Sequence, residues 1–245
     1  PNTPVTSLNQ PVKLFPSWSD TTTGRRLYFA SNPAAGSSNV YRVNTVTWAI
    51  ETTFTATAPF GPTSLPSSVL YVGDGVGFMH GLPATGTAAQ FTVEQAGFPF
   101  RDAAGVNQAI RGGPGWDSGQ NRLIFGNAAG NVYTLNTSQY AGAWTLNTNY
   151  FMTSTLNVPI ASIPLVAGNL IYVTNTQGAL FIIDAFRGPA ATPRQQLVYT
   201  YNFGSPVLSD LSRDADPSSG RIYVSTGNGK LYAVNLEADP TPGSP

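Results

Sequence analysis

One pattern occurs five times along this chain: a β-branched or aromatic run, a short turn of Gly, Asn and Asp, then a second apolar run. The copies are RLYFASNPAAGSSNVYRVN (Arg26 to Asn44), VLYVGDGVGFMHGL (Val69 to Leu82), RLIFGNAAGNVYTLN (Arg122 to Asn136), NLIYVTNTQGALFIID (Asn169 to Asp184) and RIYVSTGNGKLYAVN (Arg221 to Asn235). Each reads as a β-hairpin, because strand-forming residues flank a turn of residues that tolerate tight backbone conformations. With Tyr28, Tyr71, Ile124, Tyr172 and Tyr223 as equivalents, the steps are 43, 53, 48 and 51 residues. A lone hairpin cannot bury both its faces, so a repeat of this period requires neighbouring units to cover one another. The spacing suits the blades of a β-propeller, each a small antiparallel sheet of four strands.

The other strands of each blade are expected around the hairpins. Ahead of them stand Val12 to Phe15, Ser64 to Pro66, Ala109 to Ile110, Ile163 to Val166 and Val207 to Leu208; behind the first four stand Trp48 to Phe54, Gln90 to Glu94, Ala143 to Asn147 and Leu197 to Tyr201. After Asn235 the chain runs into LEADPTPGSP, a Pro-rich tail over 236–245 that cannot supply a strand. The N-terminus carries an otherwise unassigned segment, and Val5 to Leu8 is expected to be the outer strand of the last blade, closing a ring of five. Closure removes the free sheet edges that invite aggregation. The expectation is thus an all-β, single-domain, five-bladed propeller over 1–245.

Composition narrows the function. Twelve basic and twelve acidic side chains give no net charge, and only Lys13 and Lys230 are lysines, so the basic footprint of a nucleic-acid binder is missing. No apolar run approaches the ~20 residues of a membrane-spanning helix, and no membrane insertion is expected. There is no Cys, hence no disulfide framework. A chain opening on Pro1 reads as a processed or excised segment with any signal peptide out of view. Abundant Thr, Ser, Asn and Gly with few Lys and Glu fit an extracellular, cell-surface or periplasmic protein.

The stretches LYVGDGVGFMHGL and IYVSTGNGKLYAVN resemble the PQQ-like β-propeller repeat, whose usual form is an apolar LYVG strand, a polar turn with Gly, and an LYALD strand. All five hairpins share the resemblance, from about Val12 to Asn235. It implies a propeller fold. The family includes quinone-dependent dehydrogenases, scaffold lipoproteins of outer-membrane assembly, and propellers on pilus-associated adhesins. The dehydrogenases' eight blades, vicinal Cys pair and acidic calcium site have no match here. The first hairpin departs by its longer turn, NPAAGSSN, and the second by ending on Leu82.

Candidate chemistry is sparse, and no catalytic or cofactor-binding residue is assigned. The one histidine, His80, lies in a hairpin strand without the further His or Cys that a metal site of three or four ligands usually needs, and reads as a polar strand residue. Asp210, Asp214 and Asp216 are the calcium candidates; they lack the later Gly and bidentate Glu of a full calcium loop, so an Asp-Pro-Ser-Ser-Gly turn is the better reading. An Asp ahead of the turn recurs in Trp18-Ser19-Asp20 and Trp116-Asp117, which suggests carboxylates accepting backbone N–H groups. The Gly-rich stretches at 73–77 and 111–115 read as turns, since no helix follows to make a phosphate site. Tyr140, Trp144, Tyr150 and Phe151 are expected to pack between sheets.

Two functions from different classes remain. The first is a non-catalytic interaction or assembly module, adhesin-like or a subunit of a surface appendage or filament, with a protein partner or its own copies as ligand and carbohydrate as a further candidate. The second is a hydrolase or lyase acting on polysaccharide, with a carboxylate pair drawn from Asp20, Asp74, Asp102, Asp117 and Asp214 at the central channel.

Overall fold

A computed structural model describes residues 16–21, 24–32, 37–65, 68–95, 97–101, 108–119, 122–136, 158–160, 162–168, 170–184, 196–207, 209–214 and 220–235. The chain divides into two compact units, residues 1–114 and 115–245. In the first, β1 (Ser17–Thr21), β2 (Gly24–Ser31), β3 (Ser38–Asn44) and β4 (Ile50–Ala56) form an antiparallel sheet in sequence order. A second sheet follows from β5 (Phe60–Ser64), β6 (Val69–Asp74) and β7 (Met79–Pro83), and then the short helix α1 (Ala88–Phe91).

Among the described residues the second unit holds three sheets. They are β8 (Gly115–Asp117), β9 (Arg122–Gly126) and β10 (Val132–Asn136); β11 (Leu165–Ala167), β12 (Leu170–Thr174), β13 (Ala179–Asp184) and β14 (Gln196–Asn202); and β15 (Ser212–Arg213), β16 (Arg221–Ser225) and β17 (Leu231–Asn235). Every pairing is antiparallel between neighbours in sequence, so each of the five repeats builds one sheet around its hairpin.

Four of the hairpins turn in the same way, and the sequence explains why. Backbone bonds close the three-residue loop between Asp74 and Phe78, Asn127 and Asn131, Asn175 and Ala179, and Thr226 and Lys230, at 2.8 to 3.0 Å. The last loop residue must take a positive φ, and it is glycine each time: Gly77 at 93°, Gly130 at 85°, Gly178 at 96° and Gly229 at 78°. The side chain opening the turn then satisfies the freed N–H groups. Asp74 Oδ1 accepts from Val76 and Phe78, Asn127 Oδ1 from Ala129 and Asn131, and Asn175 Oδ1 from Gln177 and Ala179, all between 2.8 and 3.0 Å.

Packing follows the period of two along each strand. On β12, Ile171 and Val173 join Ile124, Val132 and Ile160, while Leu170 and Tyr172 join Phe203, Ile222 and Val224. That sheet is therefore buried on both faces by the sheets before and after it. In the first unit, Tyr28, Ala30 and Val40 pack against Phe60, Leu70, Val72, Leu82 and Phe91. The Tyr28 hydroxyl donates to the Ala84 carbonyl at 2.7 Å and ties the two sheets together.

The strands flanking the hairpins differ in part from the sequence reading. The first strands of three sheets lie several residues later than expected: Ser17–Thr21 rather than 12–15, Gly115–Asp117 rather than 109–110, and Ser212–Arg213 rather than 207–208. These strands are short and polar, so an apolar run does not mark them. At one of the expected positions the Ile110 N–H donates to the Asp74 carbonyl at 2.8 Å, and at another Val207 forms an isolated bridge with Thr226; Ile160, outside the expected segments, likewise donates its N–H to the Asn127 carbonyl at 3.0 Å, fastening the next segment to the preceding turn. The outer strands Ile50–Ala56 and Gln196–Asn202 stand close to their expected places.

The expected fourth strand at 90–94 is replaced by α1, so the second sheet has three strands among the described residues. Thr87 caps this helix; the Gln90 N–H donates to Thr87 Oγ1 at 3.3 Å and Gln90 Oε1 accepts from the Thr87 N–H at 2.7 Å, a capping box that favours the helical turn. Its Phe91 is fully buried beside Tyr28, with ring centroids 5.8 Å apart. The segments 5–8, 143–147 and 236–245 lie outside the described residues.

Candidate functional site: a histidine between two carboxylates beside an open cleft

The second repeat departs from its siblings at two linked positions. Where the third and fourth repeats open their turns with Asn127 and Asn175, the second has Asp74; six residues on, where they have Tyr133 and Phe181, it has His80. A neutral amide is enough to cap the turn, so the charge on Asp74 has another use. His80 Nε2 lies 3.3 Å from Asp74 Oδ2, in the place of the 3.0 Å bond between Asn127 Nδ2 and the Tyr133 hydroxyl.

The other ring nitrogen, Nδ1, lies 3.0 Å from Glu94 Oε1. With a carboxylate at each nitrogen, the imidazolium form donates to both. Burial pushes the pKa of His80 down, but the bonds to Asp74 and Glu94 outweigh it and the value is raised above 6.5. For Asp74, burial pushes upward and is outweighed by His80 and the N–H groups of Phe78 and Val76, so its pKa is lowered. His80 is buried, with Phe54 and Phe60 each at a centroid distance of 5.5 Å. The second oxygen of Glu94, Oε2, is also buried and accepts no hydrogen bond from the described residues.

Glu94 also lines an open cleft of about 620 Å³ together with Pro83, Thr85, Gly86, Ala89, Gln90, Val93 and Gln95. Its wall is fixed from behind. Arg42 Nη2 donates to the Gly86 carbonyl at 2.9 Å and Nη1 to the Thr87 carbonyl at 3.3 Å. Arg42 Nε and Arg26 Nε both donate to Glu51 Oε2, at 2.6 and 2.7 Å. Burial raises the pKa of Glu51, but the bonds from Arg26, Arg42 and Asn44 overcome it and bring it down to about 2.

Asp117 pairs with Arg122 through Nε at 3.0 Å and accepts from the Gly119 N–H at 3.0 Å, the turn role expected of it. Asp210 Oδ1 accepts from the Ile163 N–H at 2.7 Å, and Asp214 Oδ2 accepts from the Tyr223 hydroxyl at 3.5 Å. Asp20 pairs through its backbone with Arg25 on β2. Asp102 and Asp216 lie outside the described residues, among which no three His, Asp or Glu are grouped to hold a metal ion. Among the described residues no helix is long and apolar enough to cross a membrane.

His80 stands out in the sequence, but its partners do not. Glu94 sits fourteen residues further on, in a stretch that reads as a strand. The available signal is internal: aligning the repeats on their turns isolates Asp74 and His80 as a coupled exception.

The surface carries a second feature. Trp48 is 51% exposed with a φ of 57°, a conformation that a bulky residue rarely adopts. Its turn is clamped by Asn44, whose Oδ1 accepts from the N–H groups of Val46 and Thr47 at 2.9 and 3.1 Å. Val46 and Trp18 in the same unit are exposed as well.

No protein-family model matches the chain, and no curated protein matches it in sequence. Solved structures do. BamB from Moraxella catarrhalis aligns with a TM-score of 0.60 at 14% identity over 89% of this chain and 57% of BamB. Hsv2 from Kluyvelomyces marxianus aligns at 0.56 and 13% identity over 86% of this chain and 57% of Hsv2. The computationally designed Ika4 aligns at 0.52 and 10% identity over 74% of this chain and 94% of Ika4. The chain thus spans little more than half the length of BamB and Hsv2. Together with the five antiparallel meanders, these likenesses establish the fold class, a β-propeller.

Proposed function

We propose that this chain is a non-catalytic extracellular or cell-surface interaction module, a propeller of PQQ-like repeats that associates with a protein partner or with its own copies. Its five sheets close into a ring, with Val5 to Leu8 completing the last sheet alongside β17. The observation that carries the reading is Trp48. A left-handed backbone costs a non-glycine residue on the order of 1–3 kcal/mol, and here the cost serves to hold an indole in solvent. Trp is the residue type most enriched at interaction hot spots.

Two further features support it. Asp74, Asp117, Asp210 and Asp214, the described side chains among the carboxylate candidates, hold turns, ion pairs or neighbouring segments. The net charge of zero sets little repulsion against close packing of copies, and the Thr-, Ser- and Asn-rich composition supports an extracellular setting.

Mass measurement by light scattering after size-exclusion, followed by electron microscopy of any large species, tests the self-associating form. Assemblies that dissociate on Trp48→Ser are the expected result. A monomer of 25.8 kDa at all concentrations would overturn self-assembly.

A further inference from the structure

β14 presents an open sheet edge to solvent. Among the described residues it pairs with β13 alone, so the N–H and C=O groups along its other side meet no further strand. Tyr199, Thr200, Tyr201 and Asn202 are all exposed, the two tyrosines at 39% and 38%. Folded chains ordinarily guard such an edge with a charge, a proline or a covering element. The strand QLVYTYN carries no charged residue and no proline. Its counterpart in the first sheet, β4, carries Glu51, held by Arg26 and Arg42, and has α1 against it.

A register shift between Ile182 and Ile183 bends the start of β14, but Tyr199, Thr200, Tyr201 and Asn202 stay in unbroken register with Ile182, Phe181, Leu180 and Ala179. This stretch is held firmly. Tyr201 packs on Phe203 with ring centroids 4.8 Å apart, and Phe203 packs on Tyr232 at 4.7 Å. The Phe203 N–H donates to the Gly178 carbonyl at 2.8 Å, and the Gly204 N–H donates to Asn202 Oδ1 at 2.8 Å. An arriving strand meets an edge that is already ordered, which lowers the entropic cost of pairing.

The chemistry of the edge selects a second copy of itself. Val198, Tyr199, Thr200 and Tyr201 all favour strands, and an uncharged segment of such residues without Pro or Gly is the kind that recognises identical segments. Identical strands of this composition bring no like charges together, and the zero net charge of the chain adds no repulsion.

We infer that two copies of this chain join edge to edge through β14, antiparallel about a two-fold axis at Thr200. That register sets Tyr199 of each copy opposite Tyr201 of the other, making two aromatic cross-strand pairs. Because both copies use the same edge, the contact is isologous and closes at two. The pairing deepens the self-association proposed above, on which it rests, by giving it a seam separate from Trp48.

Sedimentation of the full chain over a concentration series is expected to show a reversible equilibrium between 25.8 kDa and twice that mass. Thr200→Lys and Thr200→Glu each set like charges across the axis and are expected to weaken the dimer about tenfold or more. Mixing the two variants is expected to restore it as a heterodimer. Thr200→Cys, in a chain with no cysteine of its own, is expected to form an interchain disulfide on oxidation faster than Thr55→Cys, which is exposed on β4.

A single species of 25.8 kDa up to about millimolar protein, a dimer undiminished in Thr200→Lys, or no recovery on mixing overturns the edge pairing. Should the charged variants fail to fold, the cysteine variants decide, and equal rates of cross-linking overturn it. A dimer intact in Trp48→Ser leaves this seam standing and removes the role given to the indole, whereas a dimer lost there and undiminished in Thr200→Lys removes the seam alone.

Discussion

Ile110 occupies the space that a β-carbon on Gly73 would need: its Cβ stands 2.6 Å from that position and its Cγ2 nearer still. Ile160 stands in the same relation to Gly126 in the third repeat. Both glycines precede the turn-capping residue, and both let the next segment press on the hairpin backbone. Gly73→Ala and Gly126→Ala should each lower the unfolding free energy by about 1–3 kcal/mol through overpacking, measured by urea denaturation. Gly24→Ala is the contrast, because no atom lies within 4 Å of the point a β-carbon would take there, and its φ of 118° makes any loss a backbone effect.

The turn caps of the third and fourth repeats are interchangeable in kind with Asp74. Asn127→Asp and Asn175→Asp keep the oxygen that accepts two N–H groups, whereas Asn127→Ala and Asn175→Ala remove it. The alanine variants should lose about 1–2 kcal/mol each, and the aspartates less. Thermal or chemical unfolding of the four variants checks the order.

Alkaline stability reports on His80. Its folded pKa is raised, so the folded state holds the proton more tightly than the unfolded state does. The contribution is complete below the ordinary 6.5 and is lost as pH rises through the folded value. Unfolding free energy should therefore fall above pH 6.5 in the parent chain and stay flat in His80→Gln. Asp74→Asn, which keeps the turn cap, should remove much of the same slope; a parent profile with no decline would contradict the assignment.

Acid acts through Glu51. Because its pKa is lowered from 4.5 to about 2, its contribution is complete above the ordinary value and is lost as pH falls between the two. Glu51→Gln should flatten this acid-limb loss while weakening the protein near neutrality. Arg42→Met should cost about 1–3 kcal/mol, since it breaks a part-buried ion pair and releases the Gly86 and Thr87 carbonyls together.

The hairpins are legible in the sequence because their strands are apolar and their turns carry Asx and Gly at fixed offsets, so local chemistry and tertiary packing agree at Asn127, Gly130, Asn175 and Gly178. The first strands are harder to place because Ser17–Thr21 and Ser212–Arg213 are polar and short; pairing to β2 and β16 makes them strands. At 88–91 the Thr87–Gln90 capping box is present in the sequence, yet the blade pattern argues for a fourth strand there, and the local signal wins. His80 is visible as a lone histidine. Its meaning is not, since the contact with Glu94 depends on where α1 returns the chain. Charge on Asp74 gains significance only beside Asn127 and Asn175.

Ring closure is tested most directly by a disulfide between the N-terminal segment and β17, introduced into a chain with no cysteine of its own. Cysteines at Thr6 or Ser7 are combined with cysteines at Tyr232 or Ala233, since paired strands bring α-carbons within the ~4.4–6.8 Å that a disulfide spans. At least one combination should oxidise within a single folded chain, losing both thiols and gaining resistance to urea. Thiols that stay free in every combination, or that link only one chain to another, would contradict the closed five-sheet ring.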